Sequence, residues 1–195
     1  MSNIVIQKFG GTSLADTKRF KAVAKIIKET SETGKKVVAV VSAMAGETQR
    51  LIDLAKGVQE IPDPREYDAL ISSGEQVSVA LLAMSLRSEN LKSKSYTAFQ
   101  LGLRTDDYHG KARISSIDTK NLLIDISSNI TPVITGFQGI NEEGDITTLG
   151  RGGSDTSAVA LAVALNAEEC QIYTDVNGVY TTCLLYTSPS PRDWL

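Results

Sequence analysis

Lys8-Phe9-Gly10-Gly11-Thr12-Ser13 is the stretch that most limits what this chain folds into. The apolar run Ile4-Val5-Ile6 enters it as a short strand, and an amphipathic segment from near Asp16 leaves it as a helix. Two adjacent glycines between them let the backbone turn sharply and approach a ligand without a Cβ in the way. Free N–H groups at a helix start attract anions, phosphate above all. Lys8 at the strand end adds a positive charge, and Thr12 and Ser13 add hydroxyls. Ser13 to Asp16 is also similar to a capping box, with Asp in place of Glu. The stretch therefore reads as a phosphate cradle with a lysine; the same residues also describe an ordinary strand-to-helix turn with a solvated lysine.

The rest of the chain repeats the alternation. Phe20, Val23, Ala24, Ile26 and Ile27 recur at helical spacing, with lysines and Glu29 between them. Gly34 ends that helix, and Val37 to Val41 is a five-residue apolar run suited to a strand covered on both faces. Ser42 to Thr48 then forms a loop at the carboxyl end of a strand, the edge where open α/β sheets bind ligands. A helix from Thr48 to Lys56 and a Pro-marked connection follow, and Glu66 to Ile71 is helical. Ser72-Ser73-Gly74-Glu75 interrupts the pattern before a nearly all-apolar helix from Val77 to Leu86. Ser95 to Phe99 reads as a strand, Gln100 to Lys111 as a polar loop, and Asp118 to Ser127 as a short helix capped by Asp118. Pro132 to Thr135 is a buried strand. Asn141 to Asp145 is a turn, after which Ile146 to Leu149 closes a hairpin. Ser157 to Leu165 is a small-residue helix, and Glu169 to Tyr173 the last strand. The expected fold is a three-layer α/β/α sandwich with a largely parallel sheet.

Composition narrows the function classes. The 195 residues, 42% hydrophobic and 22% charged, suit one globular domain with a sizeable core. A net charge of −3 offers no basic field for nucleic acid. No apolar run reads as long enough to span a bilayer, and no signal peptide is recognisable, so a cytoplasmic protein is expected. Cys170 and Cys183 suggest neither a disulfide framework nor a metal site.

A second glycine-rich constellation runs from Thr147 to Ser157 and again places glycines at the mouth of a helix. Arg151 has the planar fork suited to a carboxylate or phosphate. Asp155 beside a phosphate site is unfavourable unless Lys8 or a Mg²⁺-nucleotide neutralises it; the plainer alternative is that it caps the following helix. Glu75 suits an ammonium group, or simply a helix first turn. Thr48 either donates to a substrate or caps its helix. Thr174-Asp175-Val176-Asn177-Gly178-Val179-Tyr180 suits a ribose and base, or an Asn-Gly hairpin turn. His109, the only histidine, reads as a loop residue with no nucleophile to serve. No P-loop, protein-kinase signature or dinucleotide fingerprint is present.

Together these residues resemble the amino-acid kinase domain of the aspartokinase family. Lys-Phe-Gly-Gly-Thr-Ser at 8–13 is similar to the family's opening motif. Ser42-Ala43-Met44, Ser73-Gly74-Glu75, Gly136-Phe137-Gln138-Gly139, Thr148 to Asp155 and Tyr173 to Tyr180 resemble its later motifs, in the right order. The resemblance implies ATP-dependent phosphorylation of the side-chain carboxylate of L-aspartate with Mg²⁺, the entry step to lysine, threonine and methionine synthesis, in a homo-oligomeric parent enzyme. It implies that Lys8 contacts the transferring phosphate, with Phe9, Gly10, Gly11 and Ser13 around it, and that Asp155 holds the lysine. Thr48, Glu75, Arg151 and Ser154 form the aspartate site by this match, and Thr174, Asp175 and Tyr180 line the nucleotide. Sister kinases for acetylglutamate, glutamate or UMP, or a binding fragment without turnover, are the alternatives.

The resemblance runs from Ile4 to Thr182 and stops there. The family pattern continues Asp-Pro-Arg, where this chain reads Cys183-Leu184-Leu185, and Cys183 to Asp193 resembles translated sequencing adapter. The expectation is an incomplete catalytic domain over 1–182, a non-family tail over 183–195, no regulatory ACT domains, and no kinase competence in the chain as written.

Overall fold

The computed structural model describes residues 3–174. Five strands form one sheet: β1 (Ile4–Phe9), β2 (Lys36–Val41), β3 (Ser93–Tyr96), β6 (Thr131–Thr135) and β9 (Glu169–Tyr173). Their order is β3-β6-β2-β1-β9, every pair parallel. A smaller mixed sheet, ordered β5-β4-β7-β8, joins β4 (Leu103–Thr105), β5 (Ile114–Ile117), β7 (Gln138–Ile140) and β8 (Ile146–Thr148). The helices are α1 (Thr17–Glu32), α2 (Glu47–Val58), α3 (Pro64–Ile71), α4 (Ser73–Ser88), α5 (Ala98–Leu101), α6 (Lys120–Ser127) and α7 (Gly153–Ala164).

Side-chain alternation divides the core into two layers around the main sheet. Ile4, Ile6, Val38, Val40 and Ile134 face one side, where they meet Ala158 and Leu161 of α7 and Leu122 of α6. Phe9, Val37, Ala39, Val41 and Val133 face the other, against Phe20, Val23 and Ile27 of α1 and Val79, Leu82 and Leu86 of α4. The three-layer arrangement expected from the alternating pattern is the one found. By the same parity Lys8 shares a face with Ile4 and Ile6, on the side of α7.

Several local readings need correction. The Ser72-to-Glu75 segment does not interrupt a helix: Ser72 has helical angles, and its N–H donates to the Asp68 carbonyl at 3.1 Å. Gly74 is there for contact, since a Cβ would lie 2.9 Å from that of Ala43. The run Pro64–Ser88 is consequently long and apolar enough, by length and composition, to cross a membrane. Half of its apolar stretch is buried: Ile71, Val79 and Leu86 face the core, while Val77 and Met84 are exposed. The strand read at Ser95 to Phe99 ends at Tyr96, and the Gln100-to-Lys111 loop contains β4. Ser13 does not cap α1; Asp16 does, accepting from the Arg19 N–H at 2.8 Å. Finally, α7 begins at Gly153 rather than Ser157.

One contact ties the sheet to the start of α7. A Cβ on Gly136, just after β6, would lie 2.7 Å from both Cβ and Oγ of Ser154 and 2.9 Å from its Cα. Backbone cannot yield as a side-chain tip can, so α7 would have to move outward. Gly136→Ala is expected to cost about 1–3 kcal/mol, as overpacking does. Urea denaturation checks this; an unchanged midpoint would contradict the contact.

Candidate active site

Three helix starts converge at the carboxyl edge of the main sheet around a cleft of about 490 Å³. The first is a 3-10 turn, Gly11–Leu14, immediately after β1; the others are the N-termini of α2 and α7. None of the three has a side-chain cap, and neither have α4 and α6, whereas Asp16, Asp63 and Thr97 cap α1, α3 and α5. Gly46 and Gly152 occupy the N-cap positions of α2 and α7 at φ 80° and 77°, where a side chain is disfavoured. The cleft is thus faced by N–H groups and positive helix-dipole ends, the setting for an anion.

Lys8 reaches into this edge from β1, and its Nζ lies 2.7 Å from Oδ1 of Asp155 in the first turn of α7. The Lys8 side chain is 9% exposed and that of Asp155 45%. The contact is an ion pair at close range without the alignment of a hydrogen bond. Asp155 therefore balances the lysine rather than capping α7, and its open side faces the cleft.

Glu75 lines the same cleft from the first turn of α4. Its Oε1 accepts the Ala43 N–H at 3.1 Å, while the buried Oε2 has no hydrogen-bond partner. Burial pushes the carboxyl up to about 7, partly offset by the N–H of Ala43. A buried carboxylate with one free oxygen suits an arriving cation. Arg151, exposed, lines the cleft from the loop before α7, so an acidic and a basic group border one space.

Thr48, Ser154, Gly10, Gly11 and Thr174 also line the cleft, as do Lys8, Asp155, Glu75 and Arg151. Thr48 is no cap, because α2 starts one residue earlier behind Gly46. Phe9 and Ser13 are elsewhere. Phe9 is fully buried on the opposite face of β1, its ring stacked on Tyr173 with centroids 4.7 Å apart. It faces away from the ligand edge because it follows Lys8 on an alternating strand. Ser13 does not line the cleft; its N–H donates to the Gly10 carbonyl at 3.0 Å. Asp175 and Tyr180 lie outside the described residues. Among lining residues that sequence reasoning did not single out as contacts is Phe137, whose φ of 68° is unusual for a non-glycine. Its N–H donates to Ser157 Oγ at 3.1 Å and its carbonyl accepts from Leu149 at 2.9 Å, which hold the strained turn in place.

A lysine–aspartate pair under uncapped helix starts, with a carboxylate and an arginine beside it, lines one cleft at the carboxyl edge of a parallel α/β sheet. The chain belongs to the amino acid kinase family, whose profile matches residues 3–183. Within that family it is similar to aspartate kinases. Aspartate kinase Ask_LysC of Stutzerimonas stutzeri is 55% identical over 179 residues, which cover 92% of this chain and 43% of the relative. The aspartokinase of Geobacillus stearothermophilus is 52% identical, covering 92% and 44%. The chain thus spans less than half the length of these relatives. Among solved structures, aspartate kinase from Synechocystis matches with a TM-score of 0.76 at 46% identity, covering 88% of this chain and 28% of that one. E. coli aspartokinase III in complex with aspartate and ADP matches with a TM-score of 0.81 at 28% identity, covering 91% and 50%.

The Glu75 environment has a measurable consequence. Unfolded, this carboxyl titrates near its ordinary 4.5; folded, near 7. Folding favours its neutral form, so this contribution is fully present below the unfolded value and lost as pH rises through 7. The difference is worth at most about 3 kcal/mol. Between pH 4.5 and pH 8 the unaltered protein should lose stability to urea relative to Glu75→Gln; a gap independent of pH would contradict the burial argument.

Proposed function

We propose that this site serves the ATP-dependent phosphorylation of the side-chain carboxylate of L-aspartate. The observation that carries the reading is the Lys8–Asp155 ion pair beneath three uncapped helix starts, in the cleft that Glu75 and Arg151 also line. The aspartate and ADP named for the E. coli structure support the same assignment. Glu75 grips the substrate ammonium through its free oxygen, and Arg151 holds the α-carboxylate in its planar fork. Thr48 and Ser154 border the amino-acid pocket.

The side-chain carboxylate is already an anion near neutral pH, so no general base is needed to make it a nucleophile. Its oxygen forms a bond to the γ-phosphorus as the bond from that phosphorus to the bridging oxygen breaks, and ADP leaves with the electron pair. The chain's task is to bring two anions together and stabilise the phosphoryl oxygens. Lys8 and the starts of the turn at Gly11 and of α2 and α7 supply positive potential. Asp155 keeps the Lys8 ammonium at the strand end.

Mg²⁺ fits as a companion of the nucleotide. Among the described residues no group of three His, Cys, Asp or Glu side chains is placed to hold a metal ion. Mg²⁺ is commonly held by one or two carboxylates together with substrate phosphates and water. Asp155 is the carboxylate on hand, and the ion would supply further charge neutralisation at the phosphates. A cytoplasmic location is consistent with use of ATP as the phosphoryl donor. We read 1–182 as part of the catalytic domain of a longer, homo-oligomeric enzyme.

Grafting residues 3–182 in place of the matching segment of the Stutzerimonas stutzeri aspartate kinase tests this reading. The folded graft should release ADP with L-aspartate, and Lys8→Ala should lower kcat by roughly a hundredfold or more. ADP release with glutamate, acetylglutamate or UMP in its place would assign a sister activity. A folded graft that binds nucleotide without turnover on any of them would overturn the kinase reading.

A further inference from the structure

Asp68 is a fully buried carboxylate in α3, and the reaction chemistry does not use it. Its Oδ2 accepts the Gly110 N–H at 2.9 Å and the Thr148 N–H at 3.0 Å, with Nδ1 of His109 at 3.0 Å. Its Oδ1 accepts the Thr148 hydroxyl at 2.6 Å. One carboxylate therefore joins three segments distant in sequence: α3, the loop before β5, and the end of β8. A buried charge is tolerated only when its oxygens are satisfied in this way.

What these segments carry gives the hub its meaning. The helix containing Asp68 runs on through Ser72 into α4, so Glu75 follows about two turns later, roughly 10 Å along the axis. Thr148, the other end of the hub, is followed three residues later by Arg151. A second buried tie lies close by: Gln138 Nε2 donates to the Ser72 carbonyl at 2.9 Å. Gln138 and Thr148 are direct cross-strand partners on β7 and β8. The pair thus grips the α3–α4 junction at two points, one on either side of Ile71. The loop held by Asp68 also braces the arginine loop, since a Cβ on Gly150 would lie 3.0 Å from the Gly110 carbonyl oxygen.

We infer that Asp68 is a positioning residue that sets the spacing between Glu75 and Arg151, the groups that hold the two poles of an amino-acid substrate. The inference rests on the proposed amino-acid kinase reading for what those groups bind. Asp68 touches no reacting atom; it acts through Thr148 and Gly110 on the loop bearing Arg151, and through α3 on the helix bearing Glu75. Of the groups on the phosphate side, Lys8, Gly10 and Gly11 on β1 and the turn after it are not tied to this hub; only the start of α7 follows the held loop. Losing the hub should therefore loosen amino-acid binding selectively.

Asp68→Leu tests it, because the side chain keeps about the same size but accepts no hydrogen bond, leaving the Gly110 and Thr148 N–H groups without their partner. In the 195-residue chain, hydrogen exchange at the Gly110 and Thr148 amides should rise at least about tenfold while the β1 and β2 amides stay protected. In the Stutzerimonas graft, KM for L-aspartate should rise roughly tenfold with KM for ATP changed less than about twofold. Thr148→Val should move both readouts the same way and Thr148→Ser restore them, which decides the matter if Asp68→Leu does not fold. Unchanged exchange would overturn the inference, as would equal changes in both KM values or a loss confined to kcat. If the unaltered graft shows no aspartate-dependent turnover, the functional reading fails, while the exchange result still decides whether Asp68 fixes the loop.

Discussion

A mostly buried lysine must have a partner, and the rest of this site follows from where Lys8 finds one. β1 is an inner strand of the sheet, paired with β2 and β9, so its alternate side chains are committed to opposite layers. Lys8 shares parity with Ile4 and Ile6, and its stem runs along the same apolar layer that packs α7. Only at the carboxyl end of the strand does that layer open, and there the first turn of α7 offers Asp155. Shifting β1 by one residue would exchange Lys8 for Phe9 and destroy the pair. The ion pair, the sheet register and the placement of α7 are therefore one constraint.

That constraint also explains the glycines. For α7 to reach Lys8 it must approach the end of β6 closely, and Gly136 against Ser154 leaves room for it. Once there, the helix start faces a cleft shared with two other uncapped starts, all led by glycine. Uncapped N–H groups are unfavourable in an empty interior but suit a cleft meant for phosphate oxygens. Asp155 would repel such oxygens if it stood alone; paired with Lys8 it trims the local charge and fixes the ammonium. Glu75 and Arg151 line the same cleft with opposite charges, which under the proposed reading suits a zwitterion.

Much of this was legible in the sequence. The apolar runs of β2 and β6 and the helical spacing in α1 mark the central sheet and its cover. The glycine-rich junctions around Gly10 and Gly152 mark its ligand edge. Less legible were β4 and β5, strands of three and four residues with polar members, which carry too little pattern to stand out from a loop. Gly74 and its serine neighbours looked like a helix break because close packing against Ala43 and a break call for the same small residues. Phe9 and Ser13 sit inside the glycine-rich stretch at 8–13, where Phe9 packs into the core and the Ser13 N–H serves the turn's own hydrogen bonding. The Asp68 hub was invisible, since its partners His109 and Thr148 lie 41 and 80 residues away and no periodicity links them.

The most direct measurement is amide chemical-shift mapping of the chain titrated with tripolyphosphate, which carries the phosphate chemistry without a base or a substrate. If the three glycine-led helix starts and the Lys8–Asp155 pair form one phosphoryl site, residues near 10–13, 46–48 and 152–155 shift together along one saturation curve. The capped starts of α1, α3 and α5 stay still, and Lys8→Ala weakens the curve. Shifts scattered over surface lysines and arginines, or changes at one helix start without the others, would contradict the account.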